Sequence, residues 1–384
     1  MRQTMHFDTR AIHDGYDPSK NFGAVNPPIN MSSTYSQSAP GKHQGYEYAR
    51  SGNPTRAALE GVLASIENGT RAFAFSSGLG ATDCVMKLLS AGDHVVVADD
   101  VYGGTFRIFD KTYRRFGLDF TFVDTTRPQN IEAAFTAKTK MLFLESPSNP
   151  LLKITDIAAA AAVARKKGAI TVVDNTFATP YLQNPLELGA DVVLHSATKY
   201  LGGHSDVVLG VLVTKNDDLA QKLAFNQNAS GAVPGGLDCY LVHRGIKTLA
   251  VRMERACDNA ERVVTFLTEH AKVKQIYYPA LIHHKNHEIA RKQMKRFGAM
   301  ISFEIKGSVA DGVKVVSGRR IWTLGESLGG VESLLEHPAS MTHASIPAEM
   351  RKKIGLDDGL IRLSVGIEHP DDLIADLAEG LDGF

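Results

Sequence analysis

Short apolar, β-branched and aromatic runs recur along the chain, at Arg71 to Phe75, His94 to Ala98, Phe120 to Val123, Met141 to Glu145, Ile170 to Asp174, Val192 to Leu194 and Val208 to Thr214. Their near-continuous apolar character predicts strands buried on both faces. Helical stretches separate several of them, such as Asp156 to Gly168, with basic residues in its last turn and a glycine as its stop. This alternation predicts an α/β fold with a largely parallel sheet covered on both sides. Ligands of such sheets bind at the carboxyl ends of the strands.

The pattern changes near residue 246. Arg244 to His270 reads as one long helix, Met300 to Ile305 alternates as a half-buried strand does, and Arg320 to Leu324 and Leu360 to Val365 read as further strands. We expect a large ligand-binding domain over residues 51–245 and a smaller α+β domain over 246–384. Residues 1–50 are rich in Gly, Pro, Asn and Ser, including Pro27-Pro28 and Gly41, which predicts an extended arm rather than a packed unit.

Composition narrows the function. A length of 384 residues fits two domains. The 42 basic and 42 acidic side chains cancel, leaving no field of one sign to draw nucleic acid or a membrane. The start, Met1 to Asp8, is polar, and the longest apolar stretch, Ile157 to Ala164, is far shorter than a membrane span. Cys84, Cys239 and Cys257 show no CxxC spacing, so neither a disulfide framework nor a metal site is expected. These features predict a soluble protein of a reducing cytoplasm.

The chemistry centres on two residues. Asp174 closes the run Ile170 to Asp174, and Lys199 follows 25 positions later, just past the next run. Pyridoxal phosphate needs two such groups: an amine that bonds to its aldehyde, and a carboxylate that pairs with its pyridine nitrogen so the ring can accept electrons. Either residue alone reads equally well as a surface lysine or a capping aspartate. Beside the glycine-rich Lys199-Tyr200-Leu201-Gly202-Gly203-His204-Ser205-Asp206 and the hydroxyls of Ser196 and Thr198, the cofactor reading prevails.

Phe75-Ser76-Ser77-Gly78-Leu79-Gly80-Ala81-Thr82 leaves a strand and opens a helix, where backbone amides and the helix dipole suit one phosphate group. It lacks the third glycine of GxGxxG and the ending of a Walker loop, which disfavours a dinucleotide or nucleoside triphosphate. Tyr102, followed by Gly103 and Gly104, either stacks on a planar cofactor or packs locally. Asn149 either bonds the cofactor or opens a turn before Pro150. Arg362 projects from a strand and suits a substrate carboxylate bidentately, or else pairs with a carboxylate at a domain seam. The cluster His283-His284-Lys285-Asn286-His287 lacks HExxH order and reads as a solvated loop.

Taken together, Tyr48 to Arg56, Ser77-Gly78-Leu79, Asp100 to Thr105, Val173 to Thr176, Ser196 to Tyr200, Gly203 to Asp206, Glu326 to Gly330 and Arg362 to Gly366 resemble the cystathionine γ-synthase and γ-lyase family of fold-type I pyridoxal-phosphate enzymes. The resemblance covers essentially the whole chain. It implies an aspartate-aminotransferase-like fold, with a mostly parallel seven-stranded sheet and a smaller carboxyl-terminal domain. It implies that Lys199 anchors the cofactor covalently, Asp174 contacts its ring nitrogen, Tyr102 stacks on the ring, and Gly78, Leu79, Ser196 and Thr198 hold the phosphate, with Thr176 also at the cofactor. Tyr48 and Arg50 would reach the phosphate of a neighbouring subunit, in a homotetramer with shared sites. Arg362, Asn149 and Ser327 would hold an amino acid carboxylate, with Tyr102 beside the substrate as well.

Within the family, Glu326 and Glu47 resemble the γ-lyase pattern, each suited to the distal ammonium of cystathionine. Gly104 stands where methionine γ-lyases carry a cysteine, which disfavours methionine as main substrate. The expected activity is elimination from cystathionine to cysteine, 2-oxobutanoate and ammonia, with hydrogen sulfide release from cysteine or homocysteine as a side reaction. γ-Synthase and β-lyase activity are the alternatives on the same machinery. A non-catalytic protein on this scaffold is disfavoured by the intact lysine, carboxylate and arginine.

Overall fold

The computed structural model describes residues 5–341 and 355–384. All seven expected runs form one sheet: β1 Arg71–Phe75, β2 His94–Ala98, β3 Asp119–Val123, β4 Thr139–Glu145, β5 Ile170–Asp174, β6 Val192–Ser196 and β7 Gly210–Thr214. Their spatial order is β1-β7-β6-β5-β4-β2-β3. The neighbours from β6 across to β3 pair in parallel. Only β7 runs antiparallel to both its neighbours.

The strands are apolar throughout because both faces are covered. Val172 and Leu194 pack on one side with Ala81 and Val85 of helix Gly78–Met86, whereas Val173 and Val193 turn to the other. The last strand begins two residues later than its apolar run, since Val208 is exposed. At Gly210 a Cβ would lie 2.0 Å from the Ser77 carbonyl oxygen, so the backbone of β7 can approach that loop only as glycine. The alanine-rich helix spans Ile157–Lys166, its first turn capped by Asp156, which accepts from the Ala159 amide at 2.9 Å.

A second sheet holds β8 Val273–Tyr277, β9 Met300–Ile305, β10 Thr323–Leu324, β11 Leu334–Glu336 and β12 Leu360–Ser364, in the order β8-β9-β12-β11-β10. Here four expectations need correction. The long helix is two, Gly236–Ile246 and Leu249–Glu269, because the Gly245 carbonyl is engaged by the Thr248 amide and hydroxyl and by Arg252 Nη2 at 2.8 Å. β9 is buried at every position rather than alternately, since Ser302, on one face, donates to the Pro150 carbonyl at 2.7 Å. Arg320, Ile321 and Trp322 are not strand: their amides donate to the Asp376 carboxylate at 3.0, 2.9 and 3.0 Å. The arm is not extended throughout, for helix Phe7–His13 docks with Ala11 buried and Phe7 against Tyr181 at 5.1 Å.

Beyond that helix the arm is polar and open, with a short ladder of Gln37–Ala39 against Lys42–His43 and a bridge from Thr34 to Tyr48. Phe22, Val25 and Met31 are exposed along it. Among the described residues no helix is long and apolar enough to cross a membrane.

The Asp376 triad of amides yields a stability prediction. Burial pushes this carboxyl up, but the three amides and Arg319 outweigh burial and hold it below the usual aspartate range. Its contribution is therefore present at neutral pH and lost as pH falls through that depressed value. Asp376→Ala leaves three amides without an acceptor, and we expect a loss of about 2–4 kcal/mol. Denaturant unfolding followed by the fluorescence of Trp322, the one tryptophan in the chain, checks it.

Candidate functional site

Parallel pairing brings the carboxyl ends of β4, β5 and β6 to one edge, with Glu145 opposite Asp174 and Asp174 opposite Leu194. Strand alternation sends Asp174 and Ser196 to the face that carries helix Gly78–Met86. Asp174 is buried, and its Oδ1 accepts from the Thr176 amide at 3.0 Å and the Thr176 hydroxyl at 2.5 Å. That hydroxyl in turn accepts from the Ser196 amide at 2.8 Å, which stitches the two strand ends together. Among the described residues no lysine or arginine forms an ion pair with Asp174. Burial raises its pKa while Thr176 and His195 pull it back.

Lys199 lies in the turn after β6, and its Nζ donates to Ser327 Oγ at 2.7 Å. Burial first, then the neighbouring Arg362, lowers its pKa to about 8, against the opposing pull of Glu336 and Glu326. Ser327 also receives Arg362, whose Nη2 donates to the Ser327 carbonyl at 2.8 Å while Nη1 donates to Asn149 Oδ1 at 2.8 Å. Its φ of +122° is left-handed backbone that a serine adopts only when its surroundings impose it. Arg362 is buried and paired with the buried Glu336 at 3.0 Å, and among the described residues its Nε has no hydrogen-bond partner.

The loop before helix Gly78–Met86 is built as a cradle. Ser77 caps the helix by accepting from the Gly80 amide at 3.0 Å, and Gly78 and Leu79 form its first turn. A Cβ at Gly78 would come 3.1 Å from Ser196 Cβ, so the glycine lets the helix start close against β6. Thr198 lies in the turn after β6. Its hydroxyl donates to the Leu209 carbonyl at 3.3 Å and accepts from the Leu209 amide at 3.0 Å.

Tyr102 caps the short helix Gly103–Arg107 and is half exposed. Its amide donates to Glu145 Oε2 at 2.8 Å. Its ring lies over Gly104, where a Cβ would fall 2.3 Å from Tyr102 Cε1, so a side chain there would displace the ring. Glu145 was missed in the sequence. It is fully buried, and burial first and then Asp174 push its pKa well above the usual range. A carboxylate closing an apolar strand, as Asp174 does, was the available signal. Glu336 was missed too, because nothing in the sequence joins it to Arg362.

Not every expected residue joins this group. Glu326 is exposed beside Ser327, near enough to act electrostatically on Lys199 and Arg362. Glu47, Tyr48 and Arg50 lie on the arm and are exposed. Arg50 stacks over the Tyr48 ring at 5.4 Å and donates to the Asn228 carbonyl at 2.6 Å; none of the three bonds to a residue around Lys199. His284 and His287 each bond a main-chain carbonyl, of Leu152 and Pro279.

The group fits pyridoxal phosphate. Among the described residues a buried carboxylate has no lysine or arginine paired with it and a buried arginine keeps an unpartnered donor, while an amine is held with a lowered pKa and a helix amino terminus opens beside them. Comparison with known proteins agrees. Residues 8–382 match the family described as Cys/Met metabolism PLP-dependent enzyme. The chain is 55% identical to a cystathionine beta-lyase of Coxiella burnetii over 98% of both chains. It is 51% identical to a cystathionine gamma-synthase of Mycobacterium bovis, over 97% of this chain and 96% of that one. The crystal structure of a cystathionine gamma-lyase from Lactobacillus plantarum, complexed with L-serine, superposes with a TM-score of 0.95 at 49% identity, over 98% of this chain and 99% of that one. The chain thus belongs to the Cys/Met metabolism PLP-dependent enzymes, and pyridoxal phosphate is its cofactor.

Proposed function

We propose that the protein is a cystathionine γ-lyase, converting L-cystathionine to L-cysteine, 2-oxobutanoate and ammonia. The observation that carries this reading is the placement of Glu326 next to Ser327, the residue that bonds both Lys199 and Arg362. One end of the cleft then offers an arginine to a carboxylate, and its neighbour offers a carboxylate to a second ammonium.

The bound cofactor supplies an electron-accepting ring that acidifies the hydrogen on the substrate's Cα. In this reading Asp174 would pair with the ring nitrogen and Tyr102 would stack on the ring. Gly78, Leu79, Ser196 and Thr198 would hold the phosphate, at the start of the helix and in the turn after β6. Arg362, with Asn149 and Ser327, orients the α-carboxylate. Lys199, an amine with a lowered pKa held by Ser327, would move protons at the substrate's Cα and then Cβ. Glu326 draws the distal ammonium so that the Cγ–S bond lies in the cleft. β-Lyase and γ-synthase relatives share this machinery at comparable identity, so products decide between them. Glu47, Tyr48 and Arg50 complete the site from a neighbouring subunit in a homotetramer; their exposure, and the bonding of Arg50 to Asn228 and Tyr48 rather than to the Lys199 group, support this.

Three outcomes are expected. Purified enzyme given cystathionine yields 2-oxobutanoate and cysteine, and Glu326→Gln raises KM about tenfold, roughly 1.4 kcal/mol, without altering cofactor absorption. Pyruvate with homocysteine indicates a β-lyase, and faster formation than breakdown of cystathionine from an O-acylhomoserine and cysteine indicates a synthase. Second, apoenzyme captures added pyridoxal phosphate faster as pH rises, half-maximal near pH 8, because the lowered lysine pKa leaves its amine neutral above that value; stopped-flow absorption measures it. Third, mixing refolded Lys199→Ala and Arg50→Ala subunits restores activity that neither variant has alone, as sites shared between subunits require.

A further inference from the structure

Behind the cleft, on the other face of the sheet, the same three strand ends carry a second layer of polar residues. Asn175 follows Asp174, His195 precedes Ser196, and Ser146 follows Glu145. All three are fully or almost fully buried. One side chain ties the first two together. Glu67, buried just past helix Pro54–Ile66, accepts through Oε1 from Asn175 Nδ2 at 3.1 Å and from His195 Nε2, and through Oε2 from Asn184 Nδ2 at 3.4 Å. Gln183 extends the layer to the third strand, donating to Asn175 Oδ1 at 2.9 Å and to the Ser146 carbonyl at 2.9 Å. Gln293 donates in turn to Gln183 Oε1 at 3.1 Å and to the Thr155 carbonyl at 3.0 Å.

Two features single out Glu67 within this layer. Its one basic neighbour at bonding distance among the described residues is His195, and no lysine or arginine there pairs with it. Among the described residues His195 Nδ1 has no hydrogen-bond partner, so there the ring's one polar anchor is the Glu67 carboxylate. A buried carboxylate is costly unless its bonds are made, and once made in a dry interior they are strong and directional. The backbone of His195 continues directly into Ser196, and that of Asn175 into Asp174. Fixing the rear side chains therefore fixes where the front ones stand, because alternate residues of a strand leave it on opposite faces.

We propose that Glu67 is a positioning residue of the cofactor cleft, holding Ser196 and Asp174 in place through His195 and Asn175. The proposal rests on the reading of Asp174 and Ser196 as cofactor ligands. The test uses holoenzyme, with Glu67→Gln keeping the side chain's volume and removing its charge, and His195→Gln removing the partner. Cofactor release into cofactor-free buffer, visible circular dichroism of the bound cofactor and thermal denaturation are recorded for each. Glu67→Gln is expected to release cofactor at least tenfold faster with weakened visible dichroism. The double variant is expected to be no worse than either single one, since both break the same contact. A lowered thermal midpoint with release rate and dichroism unchanged, or additive effects in the double variant, overturns the proposal. If Glu67→Gln does not fold, His195→Gln carries the same readouts, and unchanged cofactor release in it overturns the proposal as well. Lys199→Ala serves as the control for the cofactor reading: if that variant keeps the wild-type visible band, the ligand assignment fails rather than the role of Glu67.

Discussion

Glu145 and Asp174 end adjacent parallel strands in register, both buried, and among the described residues neither forms an ion pair with a lysine or arginine. Two carboxylates in a dry site disfavour each other's charge and raise each other's pKa. The structure resolves the conflict unequally. Thr176 gives Asp174 an amide and a hydroxyl, which favour its ionised form, whereas Glu145 is pushed well above the usual range and its main-chain contacts only partly offset this. Asp174 is thereby the carboxylate prepared for a cation. In the proposed reading a protonated pyridine ring supplies that cation and offsets the cost of burying the carboxylate.

That constraint organises the surroundings. Glu145 takes the Tyr102 amide, so the residue that yields charge to Asp174 also sets where the aromatic ring stands. Gly104 leaves room for that ring, and Gly78 lets its helix start close against Ser196. Each depends on strands that stop together at one edge, which parallel pairing provides and an antiparallel arrangement would not.

The seven strands were legible because a sheet covered on both faces writes itself as unbroken apolar runs, and Lys199, Asp174 and Arg362 were legible because each carries a charge at the end of, or within, such a run. What escaped was set by specific hydrogen-bond partners that hydrophobic periodicity does not name. The break near Gly245 depends on Arg252, the missing strand at Arg320 to Trp322 on Asp376, and the occupation of the Thr198 hydroxyl on Leu209. Glu67 reaches Asn175 and His195 across 108 and 128 positions, and no local pattern encodes contacts of that span. Glu145 is the exception: its signal matched that of Asp174 and needed only to be read the same way.

Ser327 shows how one residue can relate two recognition elements. Its hydroxyl receives Lys199 and its carbonyl receives Arg362, and its left-handed backbone is the cost of serving both. Glu326 is its covalent neighbour, so its Cα lies about 3.8 Å away whatever the rest of the domain does. In the proposed reading this ties the attractor of the distal ammonium to the anchor of the α-carboxylate, and the cleft measures the length between a substrate's two charged ends. An amino acid with one charged end satisfies Arg362 but leaves Glu326 without a partner. Discrimination for a long, doubly charged substrate then follows from the geometry of adjacent residues rather than from a closed pocket.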